Sequence, residues 1–185
     1  DFTARPCGDD LVLIATGGTT GLPKGTQWRH EDLWYKVGVC TRYRLAPLGL
    51  ETHPETLAEH VANVASLPPA PPFLTLSPLM HGAGLMMALL MIAQGTAVVT
   101  LPGTRFDPDV ALDAIARHGI GWVVLVGDAF AKPLVDALDR RPGEELLASL
   151  STLVSSGASL SPETAAGLLR HREGLRLLDT LGSTE

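Results

Sequence analysis

Cysteine is scarce in this chain: Cys7 and Cys40 are the only two among 185 residues. That excludes a disulfide framework and a cysteine metal cluster, and it makes a reducing, cytoplasmic compartment the expectation. Long hydrophobic runs are lacking too. The longest, Gly82 to Ala93, has twelve residues, short of the roughly 20 that a membrane-spanning helix needs. Positive charge is in deficit, with 14 Lys and Arg against 20 Asp and Glu and a net charge of −6. A chain so balanced has no electrostatic footprint for nucleic acid, and none is expected as a partner. Glycine and proline, 19 and 14 residues, are too few for a low-complexity chain. The start, DFTARPCGDD, has neither an apolar secretory segment nor an initiator Met, and the end, LLDTLGSTE, stops with no helix cap or polar tail. Both ends read as cuts through a longer protein.

What is present is apolar surface in quantity. Hydrophobic residues make up 45% and charged residues 18%, with a mean hydropathy of +0.20, enough for a packed core. Strands are expected at Leu11–Ala15, Phe73–Leu76, Ala97–Leu101, Gly121–Val126, Thr152–Ser155 and Leu175–Leu178, where short apolar runs end in turn residues. Helices are expected within Glu31–Val39, over Glu55–Ser66 inside an otherwise irregular 41–72, and over Gly82–Ala93, ended by Gly95. Another starts at Asp107-Pro108, an N-cap followed by proline in the first turn, and closes at Gly119. Two more are expected over Ala129–Leu138, where Pro133 is tolerable only near the start, and from Ser161-Pro162-Glu163 to about His171. Strand–helix–strand alternation predicts an α/β fold with parallel-rich sheets covered by helices.

One loop stands out. Thr16-Gly17-Gly18-Thr19-Thr20-Gly21-Leu22-Pro23-Lys24-Gly25 follows the first strand. Glycines let backbone N–H groups approach a polyanion, three threonine hydroxyls add donors, and Lys24 adds a mobile positive charge, a set suited to a triphosphate. The P-loop NTPase pattern fails, because Pro23 precedes Lys24 and Gly25 follows it. Ser159 and Ser161 do not make a hydrolase nucleophile: G-A-S-L-S is not G-x-S-x-G, and Ser161-Pro162 reads as a helix cap. Asp128 reads as a turn former or a lining residue of the cleft, Trp28-Arg29 as packing beneath the loop or a nucleotide contact, and His60, His118 and His171 as solvated.

LIATGGTTGLPKG resembles the phosphate-loop signature of the adenylate-forming superfamily, which holds acyl-CoA synthetases, luciferases and peptide-synthetase adenylation domains. Three later segments fall in that superfamily's order: Ser77-Pro78-Leu79-Met80-His81-Gly82, Ser155-Ser156-Gly157-Ala158 and Leu181-Gly182-Ser183-Thr184-Glu185. The flanking text, Trp28-Arg29-His30-Glu31-Asp32, VGDAFAKP and LVSSGASLSPE, is similar to the long-chain and sterol-side-chain acyl-CoA synthetase branch. Gly17 stands where many members carry Ser, and Leu181 where an aromatic often covers adenine.

The resemblance implies that residues 1–185 are the central part of a large N-terminal AMP-binding domain, truncated at both ends, with the small C-terminal domain absent. It implies ATP-dependent activation of a carboxylic acid, then transfer to coenzyme A. Thr16, Gly17, Gly18, Thr19, Thr20, Gly21 and Lys24 would hold phosphates. Glu185, with Thr16, would hold Mg²⁺, a hard cation that takes oxygen ligands. Thr184 would bond the α-phosphate, Gly157, Ala158, Gly182 and Ser183 would line the nucleotide and acyl sites, and His81 would sit beside the reacting carboxylate. By the same resemblance the rivals are a catalytically dead nucleotide-binding module and a peptide-synthetase-type adenylation domain. The latter must hold an α-ammonium, usually with an Asp just after the segment matching Pro78 to His81. The run Ser77 to Ala93 contains no Asp or Glu, and a buried unpaired ammonium costs several kcal/mol. It offers Met86, Met87, Leu89, Leu90, Met91 and Ile92, with Gly82 and Gly84 giving room, and the expected substrate is an apolar acid.

Overall fold

The computed structural model describes residues 7–16, 24–50 and 54–182, with 37–44 described as backbone alone. The chain opens as a hairpin. Strand β1 (Leu11–Thr16) pairs antiparallel with β2 (Lys24–Arg29), Leu11 opposite Arg29 and Thr16 opposite Lys24. The second strand corrects the expectation of a loop leading straight to a helix. KGTQWR carries only Thr26 and Trp28 as half-buried alternate residues, too faint a period-two signal to read.

Helix α1 (His30–Leu45) follows directly and is longer than the expected window, running into the stretch read as irregular. It ends where a proline forces it to: Pro47 sits in the 3-10 turn Ala46–Leu48, closed by Gly49 at φ 68°. Arg29 joins hairpin to helix, bridging Asp9 at 3.1 Å, Asp32 at 3.0 Å and Glu31 at 3.5 Å. Helix α2 (Leu57–Ala65) is capped by Thr56, whose hydroxyl accepts the Glu59 N–H at 3.2 Å.

The main sheet has five parallel strands, β3 (Phe73–Thr75), β4 (Val98–Thr100), β5 (Trp122–Leu125), β6 (Thr152–Ser156) and β7 (Arg176–Thr180), in the order β4-β3-β5-β6-β7. The connecting helices are α3 (Gly82–Ala93), α4 (Pro108–His118), α5 (Gly127–Arg140) and α6 (Pro162–His171). Right-handed crossovers dictate their sides. The chain steps one way from β3 to β4, then reverses across β3 to reach β5 and continues to β7. So α3 covers one face, and α4, α5 and α6 the other. Leu74, Val123, Leu125 and Leu153 point to the three-helix face. Phe73, Val124 and Val154 alternate to the α3 side and meet Met91. Each such buried side chain contributes about 1.5–3 kcal/mol.

Three sequence readings change here. Pro133 lies in the second turn of α5, because that helix starts at Gly127, two residues earlier than expected. His60 is 5% exposed rather than solvated: its Nε2 lies 2.8 Å from the Ala93 carbonyl and its ring meets Trp34 edge-on at 5.0 Å. His171 pairs with Asp139 at 2.7 Å, tying α6 to α5. No helix among the described residues is long and apolar enough to cross a membrane.

Candidate active site

A parallel sheet that reverses its winding leaves a crevice at the carboxyl ends of the strands flanking the reversal. Here those strands are β3 and β5, with β6 and β7 alongside. Two of the four segments singled out in the sequence, and the first two residues of a third, end up on this edge. The Ser77–His81 segment leaves β3, anchored by the Leu76 N–H to the Val124 carbonyl at 2.9 Å and by the Thr75 hydroxyl to the Ser77 carbonyl at 2.6 Å. His81 is the exposed N-cap residue of α3. Gly84 does not give room, as the sequence reading had it. A Cβ there would lie 2.6 Å from the carbonyl oxygens of both Ser77 and Pro78, so α3 docks its first turn on that backbone.

The Gly157-Ala158 loop leaves β6 with Gly157 at φ 89°, a conformation open to glycine and costly to other residues. It is held from below by Gly127 and Asp128 at the start of α5. A Cβ on Gly127, itself at φ 50°, would lie 2.4 Å from the Ser159 carbonyl oxygen. The Asp128 N–H donates to that same carbonyl at 3.0 Å, and the Asp128 carboxylate accepts the Ser161 N–H at 2.9 Å. That backbone bond, against the opposing effect of burial, holds the Asp128 carboxyl below its usual range. Asp128 is therefore a clasp between two loops, where the sequence suggested a turn former. Its signal, Gly-Asp between a β-branched strand and a helix, is visible in the sequence; its partner is not.

On the next strand the Thr180 hydroxyl donates to the Ser155 carbonyl at 2.9 Å, setting Gly182 beside the Gly157 loop, with Leu181 fully exposed. Ser183, Thr184 and Glu185 lie outside the described residues. So do Gly17, Gly18, Thr19, Thr20 and Gly21, but both ends of their loop are defined. Thr16 and Lys24 face one another across the last rung of the hairpin, and the Thr16 hydroxyl lies 3.3 Å from the Lys24 carbonyl. Among the described residues no hydrogen bond or ion pair joins this hairpin end to the edge carrying His81, Gly157, Ala158 and Gly182. Nor do three His, Cys, Asp or Glu side chains gather as a metal cage there. Arg29, with its guanidinium held strongly protonated by Asp32, is committed to the hairpin base.

On the α3 side of the sheet, toward its amino end, lies a cleft of about 720 Å³ lined by Met87, Leu90, Met91, Trp122 and Leu178 together with Gln94, Thr96 and Arg176, with no carboxylate among its lining residues. A second apolar cleft, about 650 Å³, separates α3 from α1 and α2 and takes Leu89 and Ile92. The apolar run expected to line one space thus lines two, because a helix presents these residues on opposite sides.

The profile of the AMP-binding enzyme family matches residues 3–185. The medium-chain acyl-CoA ligase Mig of Mycobacterium avium is 31% identical over 98% of this chain and 32% of its own length. The medium/long-chain-fatty-acid–CoA/3-oxocholest-4-en-26-oate–CoA ligase of Mycobacterium tuberculosis (strain ATCC 25618 / H37Rv) is 32% identical over the whole chain and 32% of its own length. This chain therefore spans about a third of the curated relatives it matches. Among solved structures, a nonribosomal peptide synthetase, FmoA3, superposes with a TM-score of 0.72 at 23% identity over 96% of this chain and 16% of that one, a likeness of fold. With the match running along nearly its whole length, the chain belongs to the AMP-binding enzyme family.

Proposed function

We propose that the complete protein is an acid–thiol ligase. It joins an apolar carboxylic acid, fatty or steroid-type, to ATP as an acyl-adenylate, and then to coenzyme A as a thioester. On this reading residues 1–185 are the central part of its N-terminal domain, and its location is cytoplasmic. The observation that carries the proposal is the meeting of His81, Gly157, Ala158 and Gly182 on one sheet edge, with a largely apolar cleft without a carboxylate on the α3 side of the same sheet. The names of the relatives agree with it.

A carboxylate oxygen of the acid attacks the α-phosphorus of ATP, and pyrophosphate leaves. The sulfur of coenzyme A then attacks the acyl carbon, the bond from that carbon to the phosphate oxygen breaks, and AMP departs. Charge must be neutralised and the acid held in line. Thr16, Thr19, Thr20 and Lys24 contact the outer phosphates, with Gly17, Gly18 and Gly21 shaping that loop. Thr184 and Ser183 contact the nucleotide, and Gly157 and Gly182 present backbone to it. His81 and Ala158 lie toward the reacting carboxyl. Mg²⁺ neutralises phosphate charge when bound. Such an ion needs one or two protein oxygens, which the half-buried Thr16 hydroxyl at the hairpin end and Glu185 would supply.

Pyrophosphate release by the full-length enzyme tests this, with medium-chain, long-chain and steroid-type acids set against free α-amino acids. The apolar acids turn over faster, and release stays low without them. Faster turnover of any amino acid overturns the proposal. Lys24→Ala removes a charge-assisted phosphate contact, a loss of about 1.5–3 kcal/mol, and raises the KM for ATP at least tenfold. Glu185→Gln raises the Mg²⁺ requirement.

A further inference from the structure

Gly157, Ala158 and Ser159 form the exposed crest of the loop after β6, and among the described residues their N–H groups make no hydrogen bond. The next residue turns inward: Leu160 packs on the three-helix face of the sheet. One residue holds both peptide groups that flank Leu160. The Ser159 carbonyl accepts the Asp128 N–H at 3.0 Å, and the Ser161 N–H donates to Asp128 Oδ1 at 2.9 Å. Asp128 is half-buried, so its carboxylate bond is partly shielded from competing water.

The crest is therefore three residues long between two fixed points. Ser156, paired with Thr180, fixes it at the end of β6, and Asp128 fixes it at Ser159. The neighbouring Ser161 hydroxyl is used elsewhere: it accepts the Thr164 N–H at 3.2 Å and donates to the Thr164 hydroxyl at 2.9 Å, capping α6. Free backbone donors at the carboxyl edge of the sheet serve a reaction between oxygen groups only if their positions are set in advance.

We infer that Asp128 is a positioning residue for adenylate formation: through the peptide groups on either side of Leu160 it holds the crest 157–159, with its free N–H donors, where the nucleotide and the reacting carboxyl meet. This rests on the acid-activating reading above and adds a residue that touches neither substrate. The hydrogen bond does the positioning, so an uncharged acceptor at the same place suffices.

The test uses the full-length protein. Titration calorimetry with a non-hydrolysable ATP analogue gives nucleotide affinity whether or not any acid is activated, and pyrophosphate release with an apolar acid gives KM and kcat. Asp128→Ala weakens the analogue and raises the KM for ATP about fivefold or more, while the KM for coenzyme A stays within about twofold. Asp128→Asn keeps an acceptor for the Ser161 N–H and restores both ATP readouts to within about twofold of the parent, although its thermal midpoint falls. Asp128→Glu keeps the charge but displaces the oxygen, and weakens the analogue as Asp128→Ala does. A merely structural role lowers kcat with the folded fraction and leaves KM alone; that pattern overturns the inference. So does parent-like analogue binding in Asp128→Ala or Asp128→Glu, or a loss in Asp128→Asn equal to that in Asp128→Ala. The expected binding pattern with no pyrophosphate release from any acid overturns the reaction and leaves the positioning role standing.

Discussion

Gly127 and Asp128 set the position of the Gly157 loop, Gly127 through its lack of a Cβ and Asp128 through its N–H and its carboxylate. With φ at 50° and the Ser159 carbonyl so near, Gly127 has no space for a methyl group. Gly127→Ala is expected to destabilise the protein by about 1–3 kcal/mol through strain and overpacking, and to raise the KM for ATP in the full-length enzyme. An unchanged thermal midpoint would contradict the close approach. Asp128 acts through charge. Its folded carboxyl sits below the unfolded value of about 3.9, so its contribution is present above that pH and fades as pH falls through the folded value. Asp128→Asn should lower the thermal midpoint near neutrality, and the gap from the parent should close below about pH 4; a gap that persists there contradicts the clasp. At this scale Gly157 was legible as a loop glycine, and its φ of 89° is the physical reason for the residue. The clasp was not, since nothing in Gly-Asp-Ala-Phe reveals a partner 33 residues on. His60 was misread for the same reason: its burial comes from Trp34 and Ala93, on other helices.

Elements with strong caps came through the sequence nearly intact. Asp107 accepts from the N–H groups of Asp109 and Val110 at 3.0 and 3.3 Å, and α4 ends at left-handed Gly119 as its signals require. Ser161 caps α6, accepting the Thr164 N–H at 3.2 Å, while its own N–H goes to Asp128. Ser161→Ala is expected to cost about 1 kcal/mol. Since the backbone bond to Asp128 survives, nucleotide binding should change little; loss of binding equal to that of Gly127→Ala would show that the cap, not the clasp, orders the loop. The β1–β2 hairpin escaped detection because it is two-stranded and exposed, so burial leaves almost no alternation in β2. It nonetheless fixes where the loop's two ends lie. Strand β2 runs antiparallel to β1 with Thr16 opposite Lys24, which brings the Thr16 hydroxyl and the lysine to one end.

The topology of the whole molecule follows from its order of strands and one reversal of direction. Alternating apolar runs and capped helices indicate a parallel sheet, and handedness then fixes which helices share a face. The side of the reversal is a long-range choice that local sequence does not encode, and it is what gathers segments from residues 77, 157 and 182 at one edge. The proposed reaction makes a definite demand on the chemistry: the acid's own oxygen ends on phosphorus. The most direct test supplies the full-length enzyme with ATP, coenzyme A and an apolar acid whose carboxyl oxygens are both ¹⁸O, and reads the products by mass spectrometry. The account predicts one ¹⁸O atom in AMP, one retained in the thioester and none in pyrophosphate. Label in phosphate or pyrophosphate, or a thioester formed without labelled AMP, would contradict it.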